Sequence, residues 1–192
     1  RIDPDTISDP ACCELLDRFR STDIDVAVWD VTSDTGVPAM LVWIMEGDKR
    51  ERLLGRPSVG AGCHPVREIA LSRALSEAAQ ERLTLITGSR DDLRRDDYRD
   101  MDFADVFART DGRDFAGTPT TAFQTSSDDV AWLLKQLRQV GIDEVILVDL
   151  SQDTFRDISV ARIVIPGLES AVDNARYVPG RRAQTVMEAG PE

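Results

Sequence analysis

The chain has 192 residues, enough for one domain with a sizeable core. Its hydrophobic share of 42 % and charged share of 30 % are those of an ordinary soluble globular protein, outside the disordered and fibrous classes. A net charge of −12 argues against nonspecific binding to nucleic acid or anionic membrane, so a phosphate ligand must be held by local cations, a metal or backbone N–H groups.

The N-terminus lacks a signal-peptide pattern, and no apolar run approaches the ~20 residues of a spanning helix. The expected location is therefore cytoplasmic, with no membrane partner. The cysteines are Cys12, Cys13 and Cys63, an odd count with two adjacent, which does not make a disulfide framework. Cys12-Cys13 with Cys63-His64 is poor spacing for zinc, and neighbours in sequence make a poor catalytic Cys–His pair.

Asp9-Pro10 reads as the cap and first residue of a helix reaching Arg20, with Leu15, Leu16 and Phe19 as its apolar stripe. Strict alternation over Ile24–Val31 predicts a half-buried strand. Thr32–Gly36 is a turn by composition, and Ala39–Met45 a second, more apolar strand, so the pair forms a hairpin. Asp30 and Asp34 flank the turn, where an aspartate commonly bonds its own backbone. Glu46 to Gly60 reads as an irregular loop. Gly60 and Gly62 then precede a long helix that begins near Pro65 and runs to Leu83, and their position predicts a glycine-bearing loop open to an anion.

On that helix Leu71, Ala74, Leu75, Ala78 and Ala79 share one side, while Arg73, Ser76, Glu77 and Gln80 gather on the other. Glu77 and Gln80 are neighbours at i,i+3, so this face can hold a hydrated Mg²⁺ and the phosphates around it. The alternative is a solvated face with an Arg73–Glu77 pair worth a few tenths of a kcal/mol. His64 reads as a loop residue capping the helix or touching a ligand.

Ser89 to Asp100 is dense in charges of both signs. Phe103, Val106 and Phe107 suggest a short helix, and Gly117 to Thr121 a loop. Ser126 or Ser127 caps an amphipathic helix, Asp128–Val140, with Val130, Leu133, Leu134 and Leu137 inward and Gly141 as terminator. Glu144–Asp149 and Val160–Ile165, the second containing Arg162, read as strands, the first of them buried. Helix–strand alternation predicts an α+β fold, with mixed sheets and helices packed on them. Residues 1–175 are expected to form the folded portion and 176–192 a mobile tail.

Several of these stretches resemble the YcaO family: Gly60-Ala-Gly-Cys-His-Pro65, Ala70-Leu-Ser-Arg-Ala-Leu-Ser-Glu-Ala-Ala-Gln-Glu-Arg-Leu-Thr84, Ile86-Thr-Gly-Ser-Arg-Asp-Asp92, Asp9-Pro-Ala-Cys12 and Val28-Trp-Asp-Val-Thr-Ser-Asp-Thr-Gly-Val-Pro38. The likeness runs from about Asp3 to Gly167. It implies a YcaO-type fold of which this chain is the C-terminal half, with ATP and Mg²⁺ as cofactors. It implies Glu77 and Gln80 at the metal, and Gly60, Gly62, His64, Arg73, Gln80, Arg82 and Arg90 at the nucleotide, while Asp91 and Asp92 orient Arg90 or help bind metal. The other half of the site would come from an N-terminal half with its own glutamates and a phosphate-binding lysine or serine.

The implied chemistry is phosphorylation of a peptide backbone amide. A side-chain nucleophile of the substrate then gives an azoline, and sulfide gives a thioamide. Azoline-forming members commonly end in a Pro-x-Pro-x-Pro tail, whereas this chain ends Glu188-Ala-Gly-Pro-Glu192. A glutamate found eight residues before position 77 in many members is Ile69 here, beside Glu68. The wording is closest to members that work with a TfuA-like partner in thioamidation, and the expected assembly is a homodimer acting on a peptide or protein. A non-catalytic scaffold, of the kind attached to ribosomal protein S12 methylthiolation, is the rival reading.

Overall fold

Asp9 accepts a 2.9 Å hydrogen bond from the N–H of Cys12, so the chain enters its first helix, α1 (Pro10–Ser21), with the expected cap and first-turn proline. The computed structural model describes residues 1–47, 55–88, 103–108, 111–152, 154, 157–169 and 177–189. The chain divides into two compact units, Arg1–Gln136 and Leu137–Glu192.

In the first unit the expected hairpin forms between β1 (Ile24–Asp30) and β2 (Ala39–Glu46), antiparallel, with Ile24 opposite Glu46 and Asp30 opposite Met40. A third strand, β3 (Ser58–Cys63), pairs antiparallel with β2 and forms the edge of the sheet. One sheet face carries Val28, Met40, Val42 and Ile44, all fully buried. They pack with Cys12 and Leu16 of α1 and with Leu71 and Leu75 of the long helix α2 (Arg67–Thr87) in one core. On the opposite face Trp43 meets Trp29 at 5.3 Å and Phe103 at 5.8 Å between ring centroids.

The glycine-bearing loop expected around residues 60–62 is instead strand β3. A Cβ added at Gly60 would fall inside contact distance of the Ala74 carbonyl and 3.0 Å from Ala78 Cα, and one at Gly62 would lie 2.9 Å from the Ala74 amide. Ala70, Ala74 and Ala78 form a fully buried stripe at i, i+4, i+8. Helix backbone therefore lies directly on strand backbone, and the missing side chains are required by packing.

α2 begins at Arg67, two residues after Pro65, because His64 Nδ1 accepts the Val66 N–H (3.0 Å) and holds the turn before the helix. Its first N–H finds Thr120 Oγ1 at 3.3 Å. The helix outruns the expected Leu83 and closes on Gly88 at φ +60°. Ala79, assigned to the apolar side from sequence, is exposed, because the contact with β3 follows the narrower 70–74–78 stripe.

The short helix expected near Phe103 is α3 (Ala104–Ala108). α4 (Ser126–Gln139) is capped by Thr125, one residue earlier than expected, through the Asp128 N–H at 3.2 Å. Leu137 is buried there, but Val130, expected inward, is 54 % exposed.

The second unit contains an antiparallel pair, β4 (Ile146–Asp149) and β5 (Ala161–Val164), and the helix α5 (Arg181–Ala189) within the stretch expected as a tail. The sequence predicts the first of these strands as buried, yet every residue of both is exposed. Among the described residues each pairs only with the other, and a hairpin alone cannot bury its own faces. Ahead of α5, Glu169 accepts from the Gly180 N–H (2.6 Å) and the Tyr177 hydroxyl (3.0 Å). Arg182 donates to the Gly167 carbonyl (3.0 Å).

Candidate functional site

The polar face of α2 overhangs the outer edge of β3. A hollow of about 210 Å³ opens there, lined by Val59 of the strand and by Glu77, Gln80, Glu81 and Thr84 of the helix. Glu77 and Gln80, paired from sequence at i,i+3, thus share one recess. Glu81 and Thr84 belong to it as well and were not foreseen. The signal for Glu81 was its i,i+4 spacing from Glu77, which the pairing with Gln80 obscured.

The hydrogen bonds distinguish these carboxylates. Glu77 Oε2 accepts from the Ala61 N–H at 2.8 Å. Glu81 Oε2 accepts from the Val59 N–H, while its Oε1 meets Arg56 Nη2 at 3.0 Å. Thr84 turns its hydroxyl to the Gln80 carbonyl (2.9 Å). Arg73 donates to the Cys63 carbonyl at 3.3 Å, so the i,i+4 contact with Glu77 considered from sequence gives way to contacts with β3.

Other sequence-selected residues lie elsewhere. Gly60 and Gly62 sit beneath α2, and His64 at the turn before it. Arg82, five positions and about 140° from Glu77 around the helix, is bound by Glu46 at 2.6 Å, with side chains only 17 % and 11 % exposed. Glu68 pairs with its neighbour Arg67 at 2.8 Å and does not line the hollow. Arg90, Asp91 and Asp92 lie outside the described residues.

A second polar centre closes the end of the hairpin. The Asp30 side chain is 2 % exposed and accepts from Thr118 Oγ1 (2.6 Å), the Thr32 N–H (2.9 Å) and the Arg113 guanidinium. Burial alone would raise its pKa, but hydrogen bonds from Thr118 and Thr32 and the charge of Arg113 bring it below the usual aspartate range. Burial instead drives the Cys12 thiol up to about 12.

The donors around the hollow suit a hard cation: a carboxylate with one oxygen bonded to backbone, and beside it a carboxamide and a hydroxyl, all oxygen chemistry. Among the described residues no cluster of three or more His, Cys, Asp and Glu forms a self-sufficient metal site. This edge can therefore supply part of a coordination shell.

Comparison with known proteins finds relatives by sequence and by fold. A protein of Rhizobium leguminosarum bv. trifolii, described as an uncharacterized protein in the tfuA 3′ region, is 32 % identical over 95 % of this chain and 46 % of its own length. A protein of Methanothermobacter thermautotrophicus is 31 % identical over 89 % of this chain and likewise 46 % of its own. The chain thus spans about half the length of the curated relatives it matches.

Among solved structures, a heterocyclase in complex with substrate and cofactor superposes with a TM-score of 0.69 at 23 % identity, covering 88 % of this chain and 23 % of its own. The heterocyclase TruD gives 0.63 at 21 %, covering 89 % and 24 %. These likenesses establish a shared fold. The family model for the ATP- and Mg²⁺-binding YcaO cyclodehydratases matches residues 1–169, and the chain belongs to the YcaO family.

Proposed function

We propose that this chain supplies one part of an ATP- and Mg²⁺-dependent site that activates a peptide backbone amide for post-translational modification. The observation that carries the reading is the shared hollow of Glu77 and Gln80, with Glu77 keeping one oxygen clear of its bond to Ala61. Bound Mg²⁺ would neutralise phosphate charge there, and phosphoryl transfer depends chiefly on such positioning and neutralisation. Glu77 and Gln80 hold the cation, Arg73 stands one helical turn from Glu77, and Arg90 is proposed to meet the phosphates. Arg82 is committed to Glu46 and is assigned a structural part.

In the proposed reaction the amide oxygen attacks the γ-phosphorus and ADP leaves. A nucleophile then adds at the amide carbon, and phosphate departs with the former amide oxygen. Sulfide as that nucleophile gives a thioamide, the product favoured here by the relative from the tfuA 3′ region. A TfuA-like protein is the matching partner.

The test is ADP and phosphate release by the full-length protein with a candidate peptide, sulfide and the TfuA-like partner, followed by mass spectrometry. The accurate-mass shift of one oxygen replaced by one sulfur, distinct from that of an added oxygen, is expected. A loss of water would instead assign azoline formation, and no peptide-stimulated hydrolysis would contradict the enzymatic reading.

A further inference from the structure

The contact between α2 and β3 is a ladder with three rungs. Arg73 donates to the Cys63 carbonyl, Glu77 accepts from Ala61 N–H, and Glu81 accepts from Val59 N–H. Successive rungs step four residues along the helix and two along the strand, in opposite directions. Four helical residues rise about 6.0 Å and two strand residues about 6.6 Å, so the two elements stay in register over all three rungs. β3 is the edge of its sheet, and these side chains occupy backbone groups that an edge strand would otherwise present outward.

The two carboxylates differ in what the ladder leaves available. Glu81 commits both oxygens, one to Val59 and one to Arg56, and its side chain is 20 % exposed. Glu77 commits Oε2 to Ala61. We propose that Glu81 is a positioning residue: it fixes β3 against α2 so that the Ala61 N–H holds Glu77 in the orientation that presents its other oxygen to Mg²⁺. This rests on the reading of Glu77 as a metal-holding residue, and it assigns Glu81 no place in the coordination shell. Residues that orient a ligand in this way typically affect metal affinity by about 10- to 100-fold.

Three variants of the full-length protein separate the roles, each checked for a cooperative thermal transition. Glu81→Ala removes the rung. Glu81→Gln keeps an oxygen for the Val59 N–H but is a far weaker Mg²⁺ ligand than a carboxylate. Val59→Pro removes the same rung from the strand side, where an edge strand tolerates proline if its N–H points outward.

Amide hydrogen exchange at Ala61, measured without metal or nucleotide, should quicken in Glu81→Ala and Val59→Pro and stay near wild type in Glu81→Gln. The Mg²⁺ concentration for half-maximal ATP binding should rise roughly tenfold in the first two and less than about threefold in the third. If Glu81→Gln matched Glu81→Ala in its Mg²⁺ requirement while exchange at Ala61 stayed normal, Glu81 would be a direct ligand and the proposal overturned. The proposal is also overturned if Glu81→Ala changed neither readout, since Glu81 would then neither hold β3 nor touch the metal. Glu77→Gln serves as the parallel control. A Mg²⁺ requirement lost there but untouched in Glu81→Ala removes only the Glu81 role, whereas one unchanged in Glu77→Gln removes the metal reading beneath it.

Discussion

Asp30 and Thr118, separated by 88 positions, are joined by a 2.6 Å hydrogen bond that ties the end of β1 to the segment following α3. Arg113 engages the same carboxylate oxygen from the more exposed side. Replacing Asp30 with Ala strands the buried Thr118 hydroxyl and removes a charge-assisted bond, which should cost roughly 3 kcal/mol. The pH dependence has a definite sign. Because the folded pKa lies below the ordinary one, the contribution is fully present above the unfolded pKa and is lost as pH falls through the folded value. Thermal melts of wild type should therefore drop more steeply below about pH 4 than those of Asp30→Asn.

Gly60 and Gly88 make opposite demands on glycine. At Gly60 the obstacle is helix backbone, which cannot yield without separating α2 from β3. Gly60→Ala should lower stability by more than about 3 kcal/mol, seen as a large fall in Tm. Gly88 has a left-handed φ but open space around it, so Gly88→Ala should cost only about 1 kcal/mol. Equal effects would contradict the backbone-on-backbone packing assigned to Gly60.

Gly60 also marks how far the sequence could be read. The β1–β2 hairpin was legible because strict alternation is the pattern of a half-buried strand, and α2 because its alanine-rich run has no internal glycine or proline. Gly60-x-Gly62 reads as a loop where the structure has strand β3, because freedom from a Cβ serves an open loop and a close helix contact equally well, and periodicity cannot separate them. β4 read as buried because its apolar run signals cover on both faces, but burial depends on what surrounds a strand and local sequence does not supply that. Glu81 was overlooked because its partners, Val59 and Arg56, lie more than 20 residues away.

The thiols offer an independent check on packing. Cys12 is fully buried, donates to the Glu68 carbonyl and has its pKa pushed up to about 12. At pH 8 it carries almost no thiolate, so alkylation of the native protein should leave Cys12 unmodified while exposed Cys63 reacts slowly. Cys63 is slowed because burial of its sulfur raises its own pKa, partly offset by Arg73. Peptide mapping after brief iodoacetamide treatment reads both, and prompt labelling of Cys12 in folded protein would contradict the packing of α1 on α2.

Arg82 and Glu46 should act as a structural pair. Removing one partner leaves a charge that is largely buried, at a cost of about 3 kcal/mol. Arg82→Met is expected to lower Tm while leaving the Mg²⁺ dependence of ATP binding within about twofold of wild type, since Arg82 lies outside the hollow. A selective loss of nucleotide affinity with unchanged Tm would return Arg82 to the phosphates.

The measurement closest to the central claim is calorimetric titration of ATP into the full-length protein, with and without Mg²⁺, for wild type and Glu77→Gln. The wild type should bind ATP in a Mg²⁺-dependent manner, and Glu77→Gln should lose at least about tenfold in affinity with Mg²⁺ while changing little without it. Equal Mg²⁺-dependent binding by both proteins would show that Glu77 serves only to hold Ala61 at the sheet edge, and the proposed metal–nucleotide site on α2 would be wrong.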